Sequence, residues 1–394
     1  MLTKDLRIAY IVNSSFPTRK AYGITARETI NALTDLSIKA KIFCNYGEYF
    51  DKDFESVTGL IENFHKGFLD RIFIKLGEIG TLKFNAIFWR IGLFFMIIKN
   101  IREVQRFHPN VIWLRDPLIA LIYLKRFKNI NIILEVHDQA GKIFYRKLRK
   151  YNDRIKFCPI NIDNDFLLKE LNPLATSELA PMGIRKALIG NKINCDEFIE
   201  SLKLKKYTSI NVGYVGKFSP NGYSKGIEDL INLAYFFQEN KINASVTLIG
   251  AEEQELTQYK KKQTLLKIGS EYLKFHKHVS HSQALHLMHN FDVLILPAYG
   301  SKNYIGMPIK LLEYFASARI VVIADTPLYR KIFNVGFQPF FYIPGDVDSL
   351  NQTIFLALKS ENLKKYLLDG INFCLPFTWE NRTRRILNLN TVLN

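Results

Sequence analysis

Short apolar runs, bounded by glycine, proline or polar residues, recur along the whole chain. Ile8–Val12 and Ile320–Ala324 are typical, and neither alternates with polar residues. Runs of this kind are expected for strands buried on both faces of a parallel sheet. Other runs interpreted as strands are Ala40–Phe43, Val111–Leu114, Ile132–Val136, Lys156–Pro159, Ser245–Ile249 and Val293–Pro297. Because stretches with helical apolar spacing lie between the runs, the pattern predicts an α/β fold with parallel sheets.

The stretch from Tyr304 to Asp325 combines a turn, a helix and a strand. Gly306 and Pro308 form the predicted turn, and proline is favourable in a first helical turn because its missing N–H would be unpaired there. Exposed backbone N–H groups at a helix start, together with the helix dipole, form a ready anion site. Glu313, one turn into the helix, offers a carboxylate that can accept hydrogen bonds from a ribose diol.

Several other candidate binding residues follow predicted strands. Residues at the carboxyl ends of parallel strands line the ligand crevice of an open α/β sheet. The residues placed there are Gly23, His137, Gly216, Lys217, Lys225 and Gly250. Gly23 lies in a predicted loop between the first strand and a helix, but a G-x-G-x-x-G dinucleotide motif is absent.

Composition bounds the class of protein. The chain has 394 residues, which suits two domains rather than one core. With 48% hydrophobic and 23% charged residues, it has the composition of a folded protein and not of a disordered one. A net charge of +17 suits nucleic acid, an anionic membrane surface or anionic small substrates. No nucleic-acid-binding motif supports the first of these partners.

Cysteine usage and hydropathy indicate a cytoplasmic protein. Four cysteines are scattered without paired spacing and are expected to be reduced thiols: Cys44, Cys158, Cys195 and Cys374. A signal peptide is not expected, because a strand already begins near Arg7. No uninterrupted apolar segment approaches the ~20 residues that span a bilayer.

The region Phe64–Lys99 is rich in both aromatic and basic residues. An amphipathic, basic and aromatic stretch suits the interface of an anionic membrane. It equally suits a helix that buries itself against the sheet. Both interpretations stay open, and the first would place the protein peripherally on the inner face of the plasma membrane.

Five histidines lie close together in the sequence, from His276 to His289. A His-x-His strand can chelate a metal, but no carboxylate or cysteine completes a familiar ligand pattern. We therefore expect no bound metal. Glu200–Lys206, which is charged and lacks periodicity, is interpreted as a linker.

The segment Pro-x-Lys-Leu-x-Glu-Tyr, ending at Tyr314, resembles the signature of retaining GT-B glycosyltransferases, family four in particular. The resemblance implies that Glu313 holds the nucleotide ribose. It also implies that the preceding turn lies against the diphosphate and sugar of the donor; the turn comprises Gly306, Met307, Pro308, Ile309 and Lys310. The family often carries a second glutamate eight positions before the first, where this chain has Ile305.

The resemblance extends to other segments. Gly216, Lys217 and Lys225 match a strand–Gly-Arg–x–Lys-Gly element, with lysine in place of the usual arginine, and are implied to bind the diphosphate. Val279 matches a loop against the nucleotide base. His137 matches a histidine near the donor sugar and acceptor, and Gly23 matches a loop facing both.

The resemblance implies a GT-B fold with two Rossmann-like domains facing a central cleft. Residues 1–185 would form the acceptor-binding domain, with residues 377–394 packing back on it, and residues 186–376 would bind the nucleotide sugar. The implied activity is glycosyl transfer from a UDP- or GDP-linked sugar to a hydroxyl, with retention, in bacterial surface polysaccharide or glycolipid synthesis. His137, Lys217 and Lys225 would serve catalysis, without cofactor or metal, on a glycan or lipid-linked acceptor. Two alternatives stay open: an inactive GT-B subunit that scaffolds a membrane-associated assembly, and a nucleotide-sugar epimerase.

Overall fold

The chain divides into two compact units. The first comprises Met1–Met182 and Trp379–Asn394, and the second Gly183–Thr378. The computed structural model describes residues 6–18, 21–46, 52–63, 91–92, 94–95, 97–98, 101–137, 142–205, 209–219, 225–298, 308–333 and 336–388. Within these residues each unit contains one six-stranded sheet in which all pairs of neighbouring strands are parallel.

The first sheet has the strand order β3-β2-β1-β4-β5-β6, and the second the order β12-β11-β10-β7-β8-β9. The strands of the first unit are β1 (Arg7–Phe16), β2 (Lys39–Tyr46), β3 (Ile61–Asn63), β4 (Val111–Leu114), β5 (Asn131–Val136) and β6 (Ile155–Pro159). Those of the second are β7 (Ile210–Val215), β8 (Ala244–Ala251), β9 (Leu273–Lys277), β10 (Val293–Leu296), β11 (Ile320–Ala324) and β12 (Phe340–Tyr342). The strand order reverses between β1 and β4 and between β10 and β7, where open α/β sheets bind ligands.

Helices connect most of these strands. They are α1 (Ala21–Asp35), α2 (Pro117–Arg126), α3 (Lys142–Leu148), α4 (Ile162–Leu171), α5 (Lys192–Leu204), α6 (Ile227–Glu239), α7 (Glu253–Leu265), α8 (His281–Met288), α9 (Ile309–Ala316), α10 (Pro327–Ile332), α11 (Val347–Leu358), α12 (Leu363–Cys374) and α13 (Trp379–Ile386). Residues 101–106 are also helical, and Lys52–Leu60 is a 3₁₀-helix.

The first sheet is buried on both faces, which explains why its strands are apolar without alternation. On β4, Ile112 packs into one core cluster and Trp113 into another, since successive side chains of a strand point to opposite faces. Ile30 of α1 and Ile386 of α13 join Trp113 on its face, and Tyr123 of α2 joins Ile112 on the other. The prediction of a parallel α/β fold is therefore confirmed.

The second unit has one continuous core, in which every residue of β10 and β11 is buried. The predicted helix after Pro308 and the predicted strand Ile320–Ala324 are both observed. The linker interpretation is wrong, because α5 continues through Leu204. Cys195, Phe198 and Leu202 of this helix form a buried stripe at helical spacing, although its other side is charged.

Two further expectations concern burial and membranes. All four cysteines are buried thiols. Most of the region Phe64–Lys99 lies outside the described residues, so neither interpretation of that region is tested. Of the described helices, none is both long enough and apolar enough to cross a membrane.

Candidate active site

Two glycines lie at the carboxyl edge of the second sheet. Gly216 follows β7 with φ of +147°, and Gly250 near the end of β8 has φ of +124°. The Gly216 N–H donates to the Ile249 carbonyl at 2.7 Å, and a Cβ on Gly250 would run into the backbone of Gly216. Glycine is therefore required at both positions, and both predicted site residues lie together beside β7.

Lys310 lies against this edge. It sits in the first turn of α9, whose N-cap is Pro308, and its ammonium lies 3.9 Å from the centre of the Tyr214 ring. The ammonium fills the space that a Cβ on Gly216 would take. Tyr314 also ties α9 to β7, because its hydroxyl accepts from the Val215 N–H at 2.8 Å. Burial lowers the pKa of Lys310 well below its ordinary value, and the charge of Lys225 lowers it further.

Lys225 is the second cation of this edge. It precedes Gly226, the left-handed N-cap of α6 with φ of +67°, and its N–H donates to the Phe218 carbonyl at 2.9 Å. Burial lowers the pKa of Lys225 to about 8. Burial disfavours the charged form of both lysines, and an anion beside them would favour that form.

Glu313 lies one turn further along α9 and contacts a histidine. Its Oε1 is 2.6 Å from Nε2 of His281, and only 11% of the Glu313 side chain is exposed. Oε2 makes no hydrogen bond to any other residue within the described segments, so it remains available to a donor such as a ribose hydroxyl. The carboxylate predicted to bind ribose thus lies on the same helix as Lys310.

The remaining predicted residues of the second unit lie in different settings. Lys217 forms an ion pair with Glu252 at 2.9 Å, and both side chains are substantially exposed. Val279 packs half-buried against the core just before α8, while Ile309 is half-buried in the first turn of α9. Gly306 and Met307 lie outside the described residues.

In the first unit, His137 directly follows β5 and contacts a buried carboxylate. Its Nε2 lies 2.7 Å from Oε2 of Glu135, which is fully buried, while 24% of the His137 side chain is exposed. Burial lowers the pKa of His137, and the nearby Arg115 lowers it further, whereas Glu135 opposes the shift. The ring is therefore neutral at neutral pH, which suits a proton acceptor.

Gly23 is placed differently from the prediction of a loop. The helix α1 already begins at Ala21, so Gly23 lies within its first turn. A Cβ at this position would collide with the carbonyl and side chain of Thr18. Packing against Thr18 therefore explains why residue 23 is a glycine. The predicted contact of Gly23 with sugar stays a prediction.

His281 and Glu135 are the residues that sequence reasoning missed. His281 opens α8 after the N-cap Ser280, which forms a capping box with Gln283, and this signature was readable from the sequence. Glu135 precedes His137 by two residues on a strand, a spacing that places both side chains on one face. Because the neighbouring residues are apolar, the segment was interpreted only as a strand, and Glu135 was not recognised as a candidate.

Comparisons with known proteins agree with this fold. Residues 196–369 match the family described as glycosyl transferases group 1. The search of curated proteins found no match. Among solved structures, sucrose-phosphate synthase from Thermosynechococcus elongatus has a TM-score of 0.68 at 15% identity, with 98% of each chain covered.

Two further solved structures are similar over nearly their full lengths. HepE (Alr3699) of Anabaena in complex with UDP has a TM-score of 0.66 at 13% identity, covering 97% of this chain and 99% of that one. The lipopolysaccharide outer core galactosyltransferase WaaB has a TM-score of 0.62 at 13% identity, covering 98% and 99%. The fold is thus the two-domain α/β fold of the GT-B glycosyltransferases. The match to the glycosyl transferases group 1 family covers residues 196–369, which lie within the second unit.

Proposed function

We propose that this protein is a glycosyltransferase that takes its sugar from a nucleoside diphosphate sugar, UDP- or GDP-linked, held by the second unit. The observation that carries the proposal is that Lys310, beside Gly216 at the end of β7, and Glu313, one turn beyond it, lie on the same helix α9, with Lys225 close enough for its charge to act on Lys310. A diphosphate requires cations and a ribose diol requires an acceptor, and these groups supply both. The HepE structures that contain UDP and UDP-glucose support the same donor class.

In the proposed reaction, the bond between the anomeric carbon and the diphosphate oxygen breaks and a bond to the acceptor hydroxyl forms. The diphosphate leaves with the bonding electron pair and finally carries the hydroxyl proton. Lys225, Lys310 and the N-terminus of α9 stabilise the negative charge that develops on it. Lys217 remains assigned to the diphosphate, which requires it to leave Glu252.

We expect the anomeric configuration to be retained, as the resemblance to family four implies. His137 would contact the transferred sugar or the acceptor. The acceptor would be a hydroxyl of a glycan or lipid-linked glycan in bacterial surface polysaccharide or glycolipid synthesis. The name of WaaB, a lipopolysaccharide galactosyltransferase, supports that class of acceptor.

The direct test is a donor screen with the purified protein. UDP, GDP and their sugars are each added, and the melting temperature is measured, because a ligand that binds the native state stabilises it. The donor that raises the melting temperature is then incubated with candidate glycan acceptors, and NMR of the product determines its anomeric configuration. Absence of stabilisation by every nucleotide and nucleotide sugar would contradict the proposal.

Glu313→Ala provides the matching variant. Losing a hydrogen bond to a charged group costs about 1.5–3 kcal/mol, so the donor dissociation constant should rise roughly 10- to 150-fold. Glu361→Ala, at an exposed loop glutamate, is the control and should leave donor affinity unchanged. Calorimetric titration compares the two variants. Unchanged affinity in Glu313→Ala would remove Glu313 from the donor site.

Ile305, at the position of the missing second glutamate, favours a specific alternative, an inactive scaffolding subunit. Donor binding with neither transfer nor sugar hydrolysis would support that alternative. Conversion of the bound nucleotide sugar into its epimer, without any acceptor, would instead identify an epimerase.

A further inference from the structure

The carboxylate of Glu135 is surrounded by four hydrogen-bond or ion-pair partners inside the first unit. Its Oε1 accepts from Nε1 of Trp113 and from Nη2 of Arg382, both at 2.9 Å. Its Oε2 lies 3.1 Å from Nε of Arg115 and 2.7 Å from Nε2 of His137. Glu135 and Arg382 are both fully buried. Burial in an apolar core normally favours the neutral form of a carboxylate. The four donors around Glu135 act against this effect.

The charge state of Glu135 follows from its partners. Burial alone would raise the pKa of Glu135, but Arg382 and then Arg115 outweigh that effect and hold the pKa well below its usual range. An ionised carboxylate only accepts hydrogen bonds, so the contacting Nε2 of His137 must carry the proton. In the neutral ring, Nδ1 then holds the lone pair.

We infer that Glu135 is a positioning residue that holds His137 in the tautomer protonated on Nε2, so that Nδ1 carries the lone pair and can accept a hydrogen bond from a hydroxyl of the sugar or acceptor. Arg382 of α13 anchors Glu135 in turn, through one ion pair and through its Nε, which donates to the Pro181 carbonyl at 3.0 Å. The inference rests on the proposed role of His137 in sugar transfer. Glu135 itself touches no substrate in this assignment.

Among the residues that the structure describes, the charged and titratable groups that act on His137 belong to this network. Arg115 at the end of β4, Glu135 on β5 and Arg382 on α13 face it directly. Tyr10 on β1 reaches it through Arg115, whose Nη2 is 3.4 Å from the Tyr10 hydroxyl. Of these groups, Glu135 is the one that accepts a hydrogen bond from the imidazole, so the tautomer is assigned from this contact.

A purely structural role is the rival explanation, in which Glu135 only pins α13 to the sheet through Arg382. That role predicts a loss of stability upon mutation but no selective loss of kcat in a folded variant. The two explanations therefore differ in the kinetics of Glu135 variants.

The experiment is NMR of the full chain labelled with ¹⁵N in histidine, with the His137 signals assigned by comparison with His137→Gln. In the wild-type protein at neutral pH we expect a protonated Nε2 and an unprotonated Nδ1. A protonated Nδ1, or a charged ring, would overturn the inference. This measurement needs no variant that could fail to fold.

Glu135→Gln tests the cause. Removing an opposite charge within hydrogen-bond distance lowers a histidine pKa by roughly one to three units, so the titration midpoint should move to lower pH. The fraction of the tautomer protonated on Nε2 should also fall, because a glutamine amide can donate as well as accept. Glu170→Gln, at an exposed glutamate of α4, should change neither. An unmoved midpoint in Glu135→Gln would overturn the inference.

Kinetics complete the test with the donor found in the screen. Glu135→Gln should lower kcat at least tenfold and leave KM for the donor unchanged, since Glu135 lies in the other unit from the diphosphate residues. An equal loss in Glu170→Gln, or a loss confined to KM, would contradict a positioning role. If the chain transfers no sugar, the proposed function fails, while the NMR result still decides the tautomer.

Discussion

At the scale of single residues, the two lysines beside β7 determine how donor binding depends on pH. The pKa of Lys225 is lowered to about 8 by burial, so its charge is present below pH 8 and lost above it. Burial also lowers the pKa of Lys310 well below its ordinary value. Anion binding should therefore weaken with rising pH, at values where ordinary lysines remain charged.

The Lys225 contribution can be isolated. Affinity for the nucleoside diphosphate should fall as pH rises through about 8, and Lys225→Arg should reduce that fall because arginine stays charged. Calorimetric titrations on either side of pH 8 measure the dependence. Lys365→Arg, at an exposed lysine of α12, is the control and should titrate like the wild type. Equal pH dependence in Lys225→Arg and the wild type would exclude Lys225 from the diphosphate site.

The contribution of Lys310 should be measurable as protons taken up when the diphosphate binds. A diphosphate placed beside a lysine whose pKa is strongly depressed raises that pKa, so binding is expected to take up a proton from the buffer at pH values between the pKa of the free protein and that of the complex. Titrations in buffers of different ionisation enthalpy count the protons taken up. Lys310→Met should abolish the uptake, whereas Lys365→Met should preserve it. Binding without uptake in the wild type would show that Lys310 does not contact the anion.

Part of this site could be predicted from the sequence, for identifiable reasons. Gly216 and Gly250 follow strand-length apolar runs, and strand ends form the ligand edge of such sheets. The pairing of Lys217 with Glu252 was not predictable, because the partners come from neighbouring strand ends far apart in the sequence. Likewise, nothing local to Glu135 indicates that Arg382 neutralises it.

At the scale of elements, α13 is held to the first unit by a buried ion pair. Removing one partner of such a pair leaves an uncompensated charge and costs about 3–5 kcal/mol. Arg382→Ala should therefore lower the free energy of unfolding by about that amount. Arg384→Ala, on the same helix but half-exposed, should cost much less. Denaturant unfolding compares the variants, and equal losses would mean that the pair with Glu135 contributes little.

Elements were predictable where burial on both faces leaves a continuous apolar run. The strands β4, β10 and β11 meet that condition, and β5 meets it except at Glu135. The helix α5 does not, because its buried stripe is narrow and its exposed side carries the charges that suggested a linker. Sequence reasoning therefore failed where tertiary burial involved only a few residues of an element.

At the scale of the whole molecule, the net charge of +17 and the composition of Phe64–Lys99 support binding to an anionic membrane surface as a proposal. Burial of apolar area contributes roughly 25 cal/mol per Å², and each nearby basic residue about 1 kcal/mol. The two contributions together could hold the protein beside a lipid-linked acceptor. This proposal concerns a region outside the described residues.

Vesicle sedimentation tests it. The purified protein should sediment with anionic vesicles in low salt and be partly released in high salt, because salt screens only the charge contribution. Replacing Phe68, Arg71, Phe73 and Lys75 together by serine should abolish sedimentation without unfolding the protein. Vesicles of neutral lipid are the control. Wild-type protein that stays in the supernatant with anionic vesicles would favour the buried interpretation and a soluble acceptor.

The return of α13 to the first unit has a consequence for the order of events on the ribosome. Residues 183–378 are all synthesised between β6 and α13, so Arg382 emerges only after the whole second unit. Until then, the nascent first unit carries the Glu135 carboxylate without its arginine anchor. The six strands of the first sheet are all synthesised before the second unit begins, but the helix that supplies Arg382 to that sheet is synthesised last. The first unit is thus begun before the second unit and completed after it.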